Sequence, residues 1–295
     1  MNACTAFRPL SGLRRAARWL ALLSAVSVLV GCSLLSLAYN RLPTIAYWRL
    51  DAMLDLNTAQ SALVRQELDR WHAWHRRAHL PRYAQALAQW QTLVVQDVTP
   101  AQVCVAVDQL RLWAREASQQ ALPLAVRLAP SLSEAQLQHW QRHQAESDAE
   151  FRADFMASNG AVAPKRLQRA TERAEMIYGS LSAEQRAWWH ERLRRSAFDP
   201  QRALVQRQQR FLDWRGVVGR IQAGASADAE VQQAWRRVWQ PESPADVADR
   251  EALQQDACAQ LAELHNRTTP AQRLIAQQKL QSLATDFLAL AGRGL

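Results

Sequence analysis

One short pattern recurs five times and limits what this chain can fold into. An Asn, Ser or Thr is followed three positions later by Gln: Asn57 to Gln60, Thr99 to Gln102, Ser133 to Gln136, Ser182 to Gln185 and Thr269 to Gln272. Leu56, Val98, Leu132 and Leu181 precede four of them, and Pro follows Thr99 and Thr269. Pro suits the first helical position because its fixed φ is helical and its missing N–H would have no partner there anyway. The pattern is the capping box: the first side chain accepts from a free amide of the opening turn, and the Gln reaches back to the cap's own amide. Val98 with Val103, and Leu132 with Leu137, fit the accompanying hydrophobic staple.

Each box opens an amphipathic run, so the chain reads as repeated helix starts. Their irregular spacing excludes a fixed-period solenoid. The expected fold class is all-α: an irregular multi-helix bundle of antiparallel amphipathic helices with short loops. Composition agrees, with only 9 Gly and 11 Pro in 295 residues and Ala, Leu, Gln and Arg dominant. Helices are expected over 58–79, 81–96, 100–122, 133–157, 164–179, 182–196, 200–222, 228–240, 245–266 and 270–291. Pro81 opens a new helix or kinks the old one. Breaks are expected at 159–164, 223–226 and 241–244; within a helical domain over 58–295, the last two either set off a C-terminal hairpin at a sub-boundary near 224–244 or interrupt a single bundle. No stretch alternates as a strand would.

The amino-terminal region reads differently. Residues 1–31 hold Arg8, Arg14, Arg15 and Arg18 and no acid, then an apolar run from Trp19 to Val30. That run is too short to span a bilayer, which takes about 20 residues, and has the form of a secretory signal. It ends in Leu29-Val30-Gly31-Cys32, which resembles the lipobox of bacterial lipoproteins. The resemblance implies cleavage between Gly31 and Cys32 and lipid on the Cys32 sulfur, with residues 32–57 as a lipidated tether and first irregular helix. Ser33 rather than Asp after the cysteine implies an outer-membrane destination facing the periplasm.

A leader of this kind revises the charge and cysteine arguments. Four arginines leave with it, so the formal +9 falls to about +5. An exported protein meets little nucleic acid, and none is expected as a partner. Cys4 leaves as well and Cys32 is acylated, which leaves Cys104 and Cys258. In an oxidising compartment these two either pair or remain buried thiols.

Candidate sites are sparse. His72, His75 and His79 share one helix face, but Val64, Leu68, Trp71, His75 and Ala78 form a largely apolar stripe that makes His75 a core histidine with a hydrogen-bond partner. His139 and His143, at i and i+4, are weak metal candidates, since no HExxH motif surrounds them. Trp188 and Trp189 point about 100° apart on a helix and are hard to bury together; with Arg192 and Arg195 they form the expected surface contact patch. No phosphate loop, nucleophile elbow or CxxC pair is present, so no catalytic residue, cofactor or enzymatic activity is expected.

Tyr39-Asn40-Arg41-Leu42, DAMLDLNTAQ from Asp51 to Gln60, Trp74-His75-Arg76, Leu80-Pro81-Arg82-Tyr83 and the repeated cap-to-Gln starts complete the pattern. Together with the lipobox they resemble a family of Gram-negative lipoproteins known as a domain of unknown function. The resemblance implies an all-helical lipoprotein and supplies no activity. The expected function is a binding or scaffolding lipoprotein of the cell envelope, with membrane lipid and an envelope protein as partners. The alternatives are a tethered periplasmic folding helper and a histidine-based metal enzyme.

Overall fold

The computed structural model describes residues 35–156, 162–240 and 243–292; Gly31 and Cys32 lie outside them. The fold is all-α, and the described residues hold twelve named helices. They are α1 (Leu42–Leu54), α2 (Thr58–Ala78), α3 (Leu80–Leu93), α4 (Pro100–Gln120), α5 (Leu122–Leu128), α6 (Glu134–Phe155), α7 (Pro164–Tyr178), α8 (Ala183–Arg194), α9 (Pro200–Gln222), α10 (Ala227–Trp239), α11 (Pro244–Asn266) and α12 (Pro270–Gly292). The described residues from Pro43 onward make up one compact unit.

All five capping boxes form. In the first, Asn57 Oδ1 accepts from the Gln60 amide at 2.9 Å and Gln60 Oε1 accepts from the Asn57 amide at 3.0 Å. The same reciprocal pair closes at Thr99, Ser133, Ser182 and Thr269. Asp199, Ser226 and Ser243 cap α9, α10 and α11 without a Gln partner, so the sequence pattern did not flag them. The expected break at Gly224 is a Schellman turn: Gly224, at φ 102°, donates to the Ile221 carbonyl and Ala225 to that of Arg220. A left-handed residue there costs glycine nothing.

Two segments depart from expectation. Residues 42–54 form a regular helix rather than an irregular one. Leu122–Leu128, where no helix is expected beyond residue 122, is a helix followed by a 3-10 turn over Ala129–Ser131. Pro123 ends α4 because it has no N–H to continue the ladder. The new helix has no side-chain cap and is held by burial: Leu128, Ala129 and Leu132 join Val64, Val217, Val231 and Ala234 in the largest core cluster.

Between α2 and α3 the break is a single residue, His79. Pro81 cannot donate backward, yet the chain resumes at once, with the Tyr83 amide on the His79 carbonyl at 2.9 Å. This bend keeps His75, His79 and Tyr83 together. Elsewhere α3 packs along α12 and α4 along α11, and Cys104 of α4 is bonded to Cys258 of α11 with a Cα–Cα distance of 5.3 Å.

Candidate functional site

The sequence stripe on α2 becomes a stack of rings. Trp71 lies over His75 with centroids 4.8 Å apart, and His75 lies parallel to His79 at 5.1 Å. Trp74 meets His79 edge-on at 4.7 Å. The Tyr83 hydroxyl sits between the two imidazoles, 3.2 Å from His75 Nε2 and 3.1 Å from His79 Nδ1. One hydroxyl proton cannot serve both, so the hydroxyl donates to one ring and accepts from the other. The far nitrogen of His79, Nε2, lies 3.7 Å from Glu116 Oε2. A proton on that nitrogen faces the carboxylate favourably, which orients the whole relay. With the His79 proton on Nε2, Tyr83 would donate to His79 Nδ1 and accept from His75 Nε2–H.

Glu116 is fixed from its other side. Arg82 grips it with Nη1 at 2.6 Å and Nη2 at 3.3 Å, and this hydrogen bond holds the Glu116 carboxyl below its usual range. The pair opens into a cleft of about 720 Å³ between α2, α3, α4, α5 and α10. Trp74 and Trp235 line it with Arg82, Glu116, Arg127 and Arg236. Trp235 is fixed by its indole N–H on Ser118 Oγ at 2.9 Å, and Arg115 lies 5.3 Å from the ring centroid. Arg127 is paired with buried Glu67. Arg236 is exposed on α10 and forms no ion pair among the described residues. The cleft thus offers an aromatic wall, the Arg82–Glu116 pair, and on α10 one acid and one base, Asp228 and Arg236, neither of them ion-paired among the described residues.

The stack behind the cleft stays neutral because burial, then the neighbouring His79 and His72 rings, lowers the His75 pKa to about 4. Burial and Arg82 lower that of His79 too, against a smaller opposing pull from Glu116. In the unfolded chain an imidazole titrates near 6.5. Between these values the unfolded chain binds the extra proton, so this contribution is complete above about pH 6.5 and is lost as pH falls toward 4. The stability of the protein should drop by about 2 kcal/mol from His75 alone between pH 7 and 5. Urea unfolding at both pH values checks this, and His75→Gln should flatten the difference. An unchanged slope in that variant would remove His75 as its source.

The other sequence candidates fall elsewhere. His139 contacts the Ala52 carbonyl oxygen through Nε2 at 2.9 Å, tying α6 to α1. His143 lies one turn further along α6, and no group of three His, Cys, Asp or Glu among the described residues is arranged to hold a metal ion. The expected contact patch on α8 is corrected by packing. Trp189 is buried with Leu181, Leu193 and Leu264. Trp188 lies half-buried beneath the Arg267 guanidinium, 4.3 Å from its ring centroid. Arg192 is turned inward onto Asp256 at 2.8 Å and Glu263 at 3.0 Å. Only Arg195 projects into solvent, paired with Glu191. Neighbouring helices cover two sides of α8, which is what burying adjacent tryptophans requires.

A feature absent from the sequence reading links the capping boxes in pairs. The Gln60 and Gln136 amides donate to each other's oxygens at 3.2 and 2.7 Å, so the starts of α2 and α6 meet head to head. Gln185 and Gln272 do the same for α8 and α12, at 2.8 and 3.0 Å. Each amide also reaches a carbonyl at a helix end or in a loop: Ser131, Leu54 and Asp55 in the first pair, Arg267 and Ser180 in the second.

A model of a family of unknown function, DUF6279, matches residues 52–215. The chain belongs to that family. The DUF6279 match includes the histidine stack, Glu116 and the whole Gln60–Gln136 clamp, whereas Cys258, Gln272 and the α10 wall of the cleft lie beyond it. No curated protein and no solved structure matches the chain.

Proposed function

We propose that this protein is a lipid-anchored component of the bacterial cell envelope, attached through acylated Cys32 and facing the periplasm from the outer membrane. It acts without catalysis, by binding a partner protein in the cleft between α2, α3, α4, α5 and α10. The observation that carries the reading is Leu29-Val30-Gly31-Cys32 at the end of a charged and then apolar segment. The Cys104–Cys258 bond supports it, because such bonds persist in oxidising compartments. The cleft's lining supports a binding role: Trp74 and Trp235 offer apolar surface, and Arg236 and Asp228 on α10 offer one charge of each sign to a partner's polar side chains.

Two measurements test this reading. Cys32→Ser protein should lose acyl labelling and accumulate as uncleaved precursor; normal processing of that variant would overturn the anchor. A photo-crosslinking residue at Gln232, on the cleft, should capture a defined envelope protein that the same residue at exposed Met176 does not, and Arg236→Glu should weaken capture. Equal capture at both positions would remove the cleft as the contact site. Recovery of one newly exported client rather than resident envelope machinery would make the protein a tethered folding helper.

A further inference from the structure

Helix α1 is apolar on two opposite sides. Its inward side is fixed: Tyr47 and Leu54 are buried, Leu50 and Met53 pack on the main core, Tyr47 Oη bonds Ser61 Oγ at 3.2 Å, and Arg65 sits 3.5 Å over the Tyr47 ring. The outward side is therefore fixed as well. It carries Ile45, 43% exposed, and Trp48, 62% exposed, with exposed Arg49 and Ala52 alongside. These positions cluster on one face at 3.6 residues per turn. No acidic residue shares the face: Asp51 is turned to the Leu56 amide at 3.2 Å. An aliphatic residue, a tryptophan and an arginine are the side chains that settle at a membrane–water interface. The indole sits at headgroup level, and the guanidinium meets lipid phosphate while its stem stays apolar.

The chain itself says which surface is near. Only nine residues separate Cys32 from Leu42, about 14 Å as helix and about 30 Å fully extended. Lipid on Cys32 would keep α1 within that distance of the headgroups. We infer that the Ile45–Trp48–Arg49 face of α1 lies in the headgroup layer of an anionic bilayer, so that the protein is held at the membrane by a helix face as well as by lipid. This rests on the reading of Cys32 as the anchor. The face supplies what a flexible tether does not, a fixed orientation of the helical unit over the membrane.

The experiment places a thiol-reactive fluorophore at Ile45→Cys, at Trp48→Cys, and at the exposed controls Val105→Cys and Met176→Cys. The full-length protein, expressed and processed in its host, is then reconstituted in vesicles of phosphatidylethanolamine and phosphatidylglycerol. Acyl labelling of Cys32 is read in the same samples. Probes at 45 and 48 should shift to the blue, be quenched by lipid-borne nitroxides and be shielded from iodide. Probes at 105 and 176 should do the reverse. Iodide quenching at 45 and 48 equal to the controls would overturn the inference, and with Cys32 acylated the anchor would still stand. Shielding from both quenchers would also overturn it, since protein rather than lipid would then cover the face. Lipid quenching at 45 and 48 without acylation would keep the inference and sink the anchor.

Discussion

Reducing the Cys104–Cys258 bond should lower the unfolding free energy by about 5 kcal/mol, the chain-entropy value for a cross-link of this span. The bond joins residues 154 apart in sequence and so removes a large share of the unfolded chain's freedom. It also ties α4 to α11, two long helices that pack along each other. Urea unfolding with and without reductant reads the effect, and a Cys104→Ala/Cys258→Ala variant should behave as the reduced protein and ignore reductant. Two titratable thiols in the untreated protein would refute the bond. A reductant effect well under 1 kcal/mol would mean that α4 and α11 hold together without it.

Much of this architecture was legible because helix starts are local events. A capping box is completed within four residues, so Asn57, Thr99, Ser133, Ser182 and Thr269 declared their helices from sequence alone. His75 was likewise readable as a core histidine, because its place in an apolar stripe is set by helical period. What stayed hidden depends on residues brought together from far apart. Glu116 meets His79 and Arg82 only once α4 lies beside the α2–α3 bend, and Arg236 comes from another helix altogether. Helix α5 has no cap to announce it and forms because Leu128 and its neighbours are buried. Trp188 and Trp189 misled for the same reason: a single helix cannot cover both, but with α7 and α11 around it α8 buries Trp189 and half-buries Trp188. One signal was present and informative. Glu serves a capping box as well as Gln does, yet all five boxes carry Gln. The surplus in Gln is an NH2 group, and in four of the five that group donates to a partner helix or loop.

That difference between Gln and Glu separates a local role from a tertiary one. Gln102 is exposed; its side-chain oxygen accepts from the Thr99 amide and hydroxyl, and its backbone amide donates to the Thr99 hydroxyl. Gln102→Glu should therefore change stability by no more than a few tenths of a kcal/mol, because the acceptor is kept and a negative charge suits a helix start. Gln136 is buried. Its oxygen closes the box on Ser133, while its NH2 serves the carbonyls of Leu54 and Asp55 and the Gln60 oxygen. Gln136→Glu keeps the box but aims a carboxylate at three oxygens and strips their donor. It should cost about 3 kcal/mol or more at pH 7. The sign of its pH dependence follows. Burial beside carbonyl oxygens raises the pKa of the new carboxyl in the fold above its unfolded value. Its neutral form can donate to one of those oxygens, so the deficit relative to the parent protein should shrink as pH falls through that raised value. Comparing variant and parent at each pH removes the common His75 contribution. Equal effects of Gln102→Glu and Gln136→Glu would reduce the Gln136 amide to a local cap. A large cost at Gln136 alone would make the joined starts of α2 and α6 a tertiary lock, set where α1 enters the bundle through Leu54 and Asp55.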